Sequence, residues 1–388
     1  MDLVIHEHIK ELAAEPSIEL TVVAVAPGIS GQPPAGVHSV GAAKVQLFVG
    51  DLLTEKGGLH RALNKVAMIC RRSVPVMAYS FFSQPATRAV RSLLAQRRFD
   101  VVVIDHYYAL TNIDLNQIVE SGAKVVYVSH DAMYPHIAEM ASMKAGALGK
   151  AYYMFEAWRT GRVEKRLFNL ASKVVHLSEF ERNQVREDLS KHLALLPPIC
   201  SPDALAAADA KADPAFANTV VFIGSPNHPP NAHALNWIID VFAPALAQVA
   251  PQLQVALVGG GTDRLAVGVS NVRGYGFVSS ETLQQMLASC VCSISPVVRG
   301  RGIKVKVLDA IAAGCPVFAT EESLRGFEQF GLPPSIQLEL PTALVDAIAA
   351  LAADVQAQAS AREDMAHRWA NFLVNRQGRL AALLSELN

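Results

Sequence analysis

Val220-Val221-Phe222-Ile223-Gly224-Ser225-Pro226-Asn227-His228-Pro229-Pro230-Asn231 is the stretch that decides the fold. A continuous apolar run ends at a glycine, turns through proline and asparagine, and enters a helical pattern near Ala232. A run apolar at successive positions suits a strand covered by helices on both faces. Strand, glycine turn and helix in that order make the repeating unit of a parallel sheet.

The same unit recurs outward in both directions. Apolar runs at 254–258, 291–295 and 317–320 follow it, and runs at 18–26, 45–49, 101–105, 125–129 and 174–177 precede it. Between the two groups lies Leu196-Pro197-Pro198-Ile199-Cys200-Ser201-Pro202, then a stretch rich in Ala and Asp to about residue 217. Prolines and small residues without periodicity mark a linker. The division is therefore an amino-terminal Rossmann-like domain over 1–195, a linker over 196–217, a second such domain over 218–360, and a helical tail over 361–388. The tail is expected to return to the first domain. The fold class is α/β, with two doubly wound domains facing a central cleft, where the carboxyl ends of the strands bind ligands.

Composition narrows the classes of function. Lys plus Arg number 34 and Asp plus Glu 35, which argues against a nucleic-acid protein working by bulk charge. Hydrophobic residues at 51% and charged residues at 18% exclude a disordered chain. No uninterrupted apolar run is long enough to span a bilayer, and the start, with acids and no basic segment, does not read as a signal peptide. Cys70, Cys200, Cys290, Cys292 and Cys315 are odd in number and lack CxxC spacing, so buried reduced thiols and a cytoplasmic setting are expected.

The densest chemistry lies at Arg299-Gly300-Arg301-Gly302-Ile303-Lys304-Val305-Lys306-Val307-Leu308-Asp309. From Ile303 the pattern is helical, and Gly314 with Pro316 stops it. Arg299, Arg301, Lys304 and Lys306 stand in or just before the first turn, where the helix dipole is already positive. An anion reverses the sign of that conflict, so a phosphate or pyrophosphate is the natural occupant, held by free N–H groups and by Arg301, Lys304 or Lys306. Asp309 shares a helix face with Lys306 and reads either as a partner for ribose hydroxyls or as an i,i+3 ion pair. The turn Gly259-Gly260-Gly261 lacks the third glycine of a dinucleotide fingerprint, and no GxxxxGK[ST] is present.

Taken together, these pieces resemble the family-four GT-B retaining glycosyltransferases, the glycosyl transferases group 1. The matching residues are Phe222-Ile223-Gly224-Ser225 with Pro230-Asn231, Val255 through Gly259, Gly274 through Val278, Pro296 through Gly302, and Lys306-Val307-Leu308-Asp309-Ala310-Ile311-Ala312-Ala313-Gly314-Cys315-Pro316-Val317. The pattern G-x-G-x-[RK]-x-K-x-[LV]-[ED]-A is similar to an exopolysaccharide-type subgroup. The resemblance implies sugar transfer from a nucleotide-diphosphate donor to a glycan or lipid-linked acceptor in surface polysaccharide synthesis. It also implies retention and no cofactor or obligatory metal. It places Gly224, Ser225, Arg301, Gly302, Lys304 and Lys306 on the donor diphosphate and Asp309 on the ribose. Arg301 stands where many members carry the first glutamate of an E-x7-E pair. Family members open with a strand and a glycine loop, whereas this sequence opens on a helix over 1–14, so that strand and loop are expected to be missing.

In the first domain Ser129-His130-Asp131 follows an apolar run and so falls at the cleft. His130 and Asp131 match a pair that the family carries near acceptor or donor sugar, and imidazole exchanges protons near neutral pH. Asp105-His106-Tyr107-Tyr108 also follows a strand and ranks below His130 as acceptor-site lining. Ser178-x-x-Glu181 reads as a capping box. His6 and His8 do not make a metal pair, because i,i+2 side chains on a helix point apart. Residues 59–72 read as a basic amphipathic helix able to lie on an anionic membrane or to pack on its own sheet. The rival readings are a nucleotide-sugar epimerase of the same architecture and a non-catalytic partner of an active transferase.

Overall fold

The computed structural model describes residues 3–27, 35–50, 75, 78, 81–130, 132–142, 144, 146–183, 193–197, 213–265, 268–300, 303–376 and 378–387. The amphipathic segment 59–72, Asp131, Arg301, Gly302, Cys70, Cys200 and most of the linker lie outside the described residues. Two compact units emerge: Met1–Pro197 with Gly378–Asn388, and Pro198–Gln377.

The first unit runs α1 (Leu3–Ala13), β1 (Val22–Ala26), β2 (Gly36–Val40), β3 (Ala43–Val49), α2 (Gln84–Gln96), β4 (Val101–Asp105), α3 (Leu115–Ser121), β5 (Lys124–Ser129), α4 (Met133–Ser142), α5 (Ala147–Leu170), β6 (Lys173–His176), α6 (Glu179–Asn183) and β7 (Leu193–Leu195). A parallel sheet in the order β4-β5-β6-β7 carries its core, in which Ile104, Val125, Tyr127 and Val174 meet Ile118, Ile137 and Leu167 from the helices. A second sheet has the order β1-β3-β2. Its β2–β3 pairing is an antiparallel hairpin that the apolar pattern did not announce. Val37 is exposed and Gly41 turns the chain at positive φ, so β2 lacks the buried stripe by which strands are recognised.

The second unit runs β8 (Thr219–Ile223), α7 (Pro229–Trp237), α8 (Ala243–Val249), β9 (Gln254–Val258), β10 (Val272–Gly276), α9 (Ser280–Ser289), β11 (Cys292–Ser295), α10 (Val305–Ala312), β12 (Val317–Ala319), α11 (Glu321–Leu324), α12 (Pro341–Ala353) and α13 (Val355–Arg376). Its five strands are all parallel, in the order β10-β9-β8-β11-β12. Apart from Ile223, the residues of β8 are buried throughout, as expected for a central strand covered on both faces. Phe222, Leu257 and Ile294 join Leu235, Ile238 and Phe242 in the largest core.

The tail does not form one helix. α13 stays on the second unit, where Met365, Trp369 and Phe372 pack with Phe327 and Phe330. Gly378, at φ 69°, breaks the helix and starts α14 (Arg379–Ser385), which belongs to the first unit. There Leu380 N–H donates to Glu11 on α1 at 2.7 Å, and Lys173 pairs with Glu386. Among the described residues no helix is long and apolar enough to cross a membrane. Cys290, Cys292 and Cys315 are free and buried, as composition suggested.

Candidate donor-binding site and an acid–imidazole triad

In the second unit β8 connects outward to β9 on one side, and β11 lies against its other edge. Strand order therefore reverses between β8 and β11, the switch point where loops diverge and leave a crevice at the strand ends. Two loops border it, Gly224 to His228 after β8 and Pro296 to Lys304 after β11.

The first loop is built for close approach. A Cβ at Gly224 would stand 2.7 Å from Asn231 Cγ, so only glycine lets α7 start this near the strand end. Gly224 N–H donates to Val258 O at 2.7 Å, and Ser225 Oγ donates to Gly260 O at 2.7 Å, tying this loop to the glycine turn after β9. The second loop reaches back: Gly300, at φ 101°, has no room for a Cβ against Pro230 Cγ, 2.9 Å away.

Lys306, on the first turn of α10, crosses the switch point. Its Nζ donates to Asn231 Oδ1 at 2.9 Å and lies 4.4 Å from the centre of the Phe222 ring. Burial, and then the like charge of Lys304, lower its pKa to about 7. Lys304 Nζ donates to Gly300 O at 2.8 Å and stands 3.5 Å from Glu322 Oε1. Glu322 is itself gripped by Arg325 at 2.6 Å. Lys304, the N-cap residue of α10, makes no side-chain capping hydrogen bond among the described residues.

Asp309 decides between its two readings in part. It forms no ion pair with Lys306; burial alone raises its carboxyl to about 7. Sequence reasoning quoted Asn231 without giving it a role and passed over Glu322. Glu322 follows β12 by three positions, so the rule of searching just past each strand end was sufficient to find it.

The first unit gathers a different cluster at the ends of β4 and β5. Asp105 closes β4 and His130 follows β5, and the two strands are in parallel register. His130 Nε2 lies 2.6 Å from Asp105 Oδ1, and His8 Nδ1, from α1, lies 2.8 Å from Asp105 Oδ2. The two imidazoles hold the buried carboxyl well below the usual carboxylate range despite burial, which pushes the other way and is the largest single influence. His106 adopts φ 74°, and its ring stands 4.8 Å from that of His130.

The ligand atoms of His8, Asp105 and His130 lie within 4.8 Å of one another. Two ligand atoms on one tetrahedral zinc would stand about 3.3 Å apart, so the shorter separations here are those of N–H···O hydrogen bonds. The i,i+2 spacing of His6 and His8 gave no sign of the partners of His8, which come from far along the chain. Asp105 moves from acceptor-site lining to the carboxylate that orients His130. The capping box is half formed: Ser178 Oγ accepts from Glu181 N–H at 3.1 Å, while the Glu181 carboxylate accepts from Ala132 N–H instead.

Residues 217–354 match the family described as glycosyl transferases group 1. No curated protein matches the chain in sequence. Among solved structures it is similar to sucrose-phosphate synthase from Thermosynechococcus elongatus, at 15% identity, TM-score 0.62, covering 99% of this chain and 92% of the other. It is similar to HepE of Anabaena in complex with UDP, at 15% identity, TM-score 0.57, covering 88% and 86%. It is also similar to a UDP-forming α,α-trehalose-phosphate synthase from Burkholderia vietnamiensis, at 13% identity, TM-score 0.59, covering 94% and 99%. At such identities the likeness shows the fold, which is that of the GT-B glycosyltransferases. The match to glycosyl transferases group 1 thus falls on the second unit, in a chain whose fold is that of the GT-B glycosyltransferases.

Proposed function

We propose that this glycosyltransferase moves a sugar from a nucleoside-diphosphate donor to a glycan or lipid-linked acceptor in surface polysaccharide synthesis, with retention and without an obligatory metal. The observation that carries the reading is Lys306, a lysine held at the switch point with its charge partly suppressed by burial. A diphosphate beside it restores the charge, and the ammonium is then spent on the anion. Lys304 and Arg301 add cations, the N–H groups of Ser225 and Gly302 supply neutral donors, and Gly224, whose own N–H is taken by Val258 O, leaves room for the diphosphate to come close.

In this scheme the bond to the anomeric carbon breaks as negative charge gathers on the departing diphosphate. Fixed cations and N–H groups stabilise that charge without reorganising, and no protein nucleophile is needed. The departing oxygen takes the proton of the incoming acceptor hydroxyl on the same face of the sugar, which gives retention. Asp309, raised by burial to about 7, offers the ribose an acceptor and, in its protonated form, a donor as well. His130 and Asp131 border the acceptor. Asp105 Oδ1, 2.6 Å from His130 Nε2, holds the imidazole in place. UDP is the first donor nucleotide to try, since relatives of this fold are described with it.

The test pairs calorimetry on a panel of nucleoside diphosphates, with and without Mg²⁺, with product analysis using lipid-linked and glycan acceptors. Binding of one diphosphate without metal, and an NMR coupling constant showing the donor's anomeric configuration kept, are expected. Turnover of the donor without acceptor would favour an epimerase, and silence from every nucleotide a non-catalytic partner.

A further inference from the structure

The long helix α5 is exposed along a face that its own sheet does not need. Ala151, Phe155, Trp158 and Arg162 succeed one another at helical spacing and are all exposed, whereas Ala157, Thr160, Glu164 and Leu167 on the opposite face are buried. Leu148 is 90% and Trp158 53% exposed, and Tyr152, Met154 and Phe155 are exposed beside them. Soluble surfaces scatter large apolar groups singly, so five within eleven positions of one helix is a patch.

Charge on this helix is one-sided. Its acids are both turned inward: Glu156 pairs with Arg159 at 2.6 Å, and Glu164 accepts from the N–H groups of Met133 and Tyr134 at 2.8 and 2.9 Å. Lys150, Arg162, Lys165 and Arg166 are exposed, with no exposed carboxylate on the helix to answer them. The Arg162 guanidinium lies 5.0 Å from the centre of the Trp158 ring, which places a cation at the rim of the aromatic patch. Apolar body and basic flank together are the make-up of helices that lie in a membrane interface.

We propose that the exposed face of α5 docks on an anionic lipid bilayer. Met154, Phe155 and Trp158 reach the acyl boundary, and Arg162, Lys165 and Arg166 take the head-group phosphates. A second copy of the chain fits less well, because an isologous contact would press this basic helix against its own image. The proposal does not depend on the acceptor named above, since vesicle binding is read without donor or transfer.

The chain holds three tryptophans, of which Trp237 and Trp369 pack within cores, so lipid contact is read at Trp158. Full-length protein should float with phosphatidylglycerol-containing vesicles, stay behind with pure phosphatidylcholine, and be released by salt. Brominated lipid should quench the wild type and leave W158F nearly unchanged. F155A/W158A and R162E/K165E should each lower vesicle affinity at least tenfold, while circular dichroism and the urea midpoint, as checks of folding, stay at the wild-type values. Equal binding to neutral vesicles, no loss in R162E/K165E, or no binding at all would overturn the proposal. So would a dimer in analytical ultracentrifugation that F155A/W158A dissociates, for that assigns the face to a second copy.

Discussion

Both units place charged chemistry just past the ends of adjacent parallel strands, but they balance that charge in opposite ways. At β4 and β5 the carboxylate of Asp105 is answered from two sides, by His8 and His130, although His8 Nε2 is buried without a hydrogen-bond partner among the described residues. At β8 and β11 Lys306 has, among the described residues, the neutral Asn231 oxygen and a ring face, with another lysine nearby. The first arrangement answers its carboxylate without a ligand and fixes the place of the His130 ring. The second is uncomfortable without an anion and gains most when one arrives. A site that binds and releases a diphosphate is better served by the second, and a site that must hold one imidazole in place by the first.

The largest effect expected is on the triad. Asp105→Ala removes the acceptor of two buried N–H groups, which costs about 2–4 kcal/mol at one to two for each. Urea unfolding at pH 7 checks it. The lowered carboxyl pKa means that the folded chain sheds this proton more readily than the unfolded one. The stabilisation is thus present above about pH 4 and is lost as pH falls below it, and the variant's acid limb should be correspondingly flatter. An unchanged urea midpoint would show that the two histidines find other partners and that the triad is not a structural unit.

Lys306→Met inverts the pattern. Affinity for the donor diphosphate should drop roughly tenfold to a hundredfold, the worth of about 1.5–3 kcal/mol for a charged hydrogen bond, while the free protein becomes no less stable. Its lowered pKa is a cost borne in full below about pH 7 and relieved as pH rises from 7 toward the ordinary lysine value, so the variant gains most in acid. Loss of stability together with loss of binding would make Lys306 a structural post. The same group sets a third expectation: diphosphate affinity measured by calorimetry should fall by up to about tenfold per unit of pH above 7, because each bound diphosphate must then bring in a proton. A flat profile from pH 7 to 9 would assign the anion to Lys304 and Arg301.

How far the sequence carried differs between the same two regions. The second unit was legible because its signals are local: an apolar run, a glycine, a helix start and cations within one turn are contiguous in the chain. Lys304 and Lys306 stand out by their spacing at a helix start, Gly224 by the family resemblance, and the parallel pairing, though not the strand order, by the alternation of strand and helix. The triad was not legible, since His8, Asp105 and His130 are separated by up to 122 positions and meet only through the sheet. Helical spacing excluded His6 with His8 and had nothing to say about a partner on another element. The β2–β3 hairpin was missed for a related reason, because pairing across a short exposed strand leaves little trace in composition. The exposed face of α5 is the reverse case: its residues are contiguous, but which side of the helix is covered is a tertiary fact.

The smallest effect concerns Asp309, which lies three residues past Lys306 and is the point where the two modes of charge balance meet. A carboxyl raised to about 7 by burial is largely protonated at pH 6, when it resembles an asparagine amide in shape and in neutrality. Asp309→Asn should therefore bind the donor diphosphate within about twofold of the wild type at pH 6. Above pH 8 the wild type carries a buried negative charge near the diphosphate and the variant does not, so the variant should bind better by about threefold, a fraction of a kcal/mol. The stability curves carry the same sign. Between the ordinary aspartate range and pH 7 the folded wild type keeps a proton that the unfolded chain has lost, so its stability declines across that window, and the variant's does not. A tenfold loss of affinity in Asp309→Asn at pH 6 would mean that the ionised carboxylate grips the ribose. The charge at the switch point would then be balanced by an internal ion, as in the triad, and the contrast between the two regions would narrow.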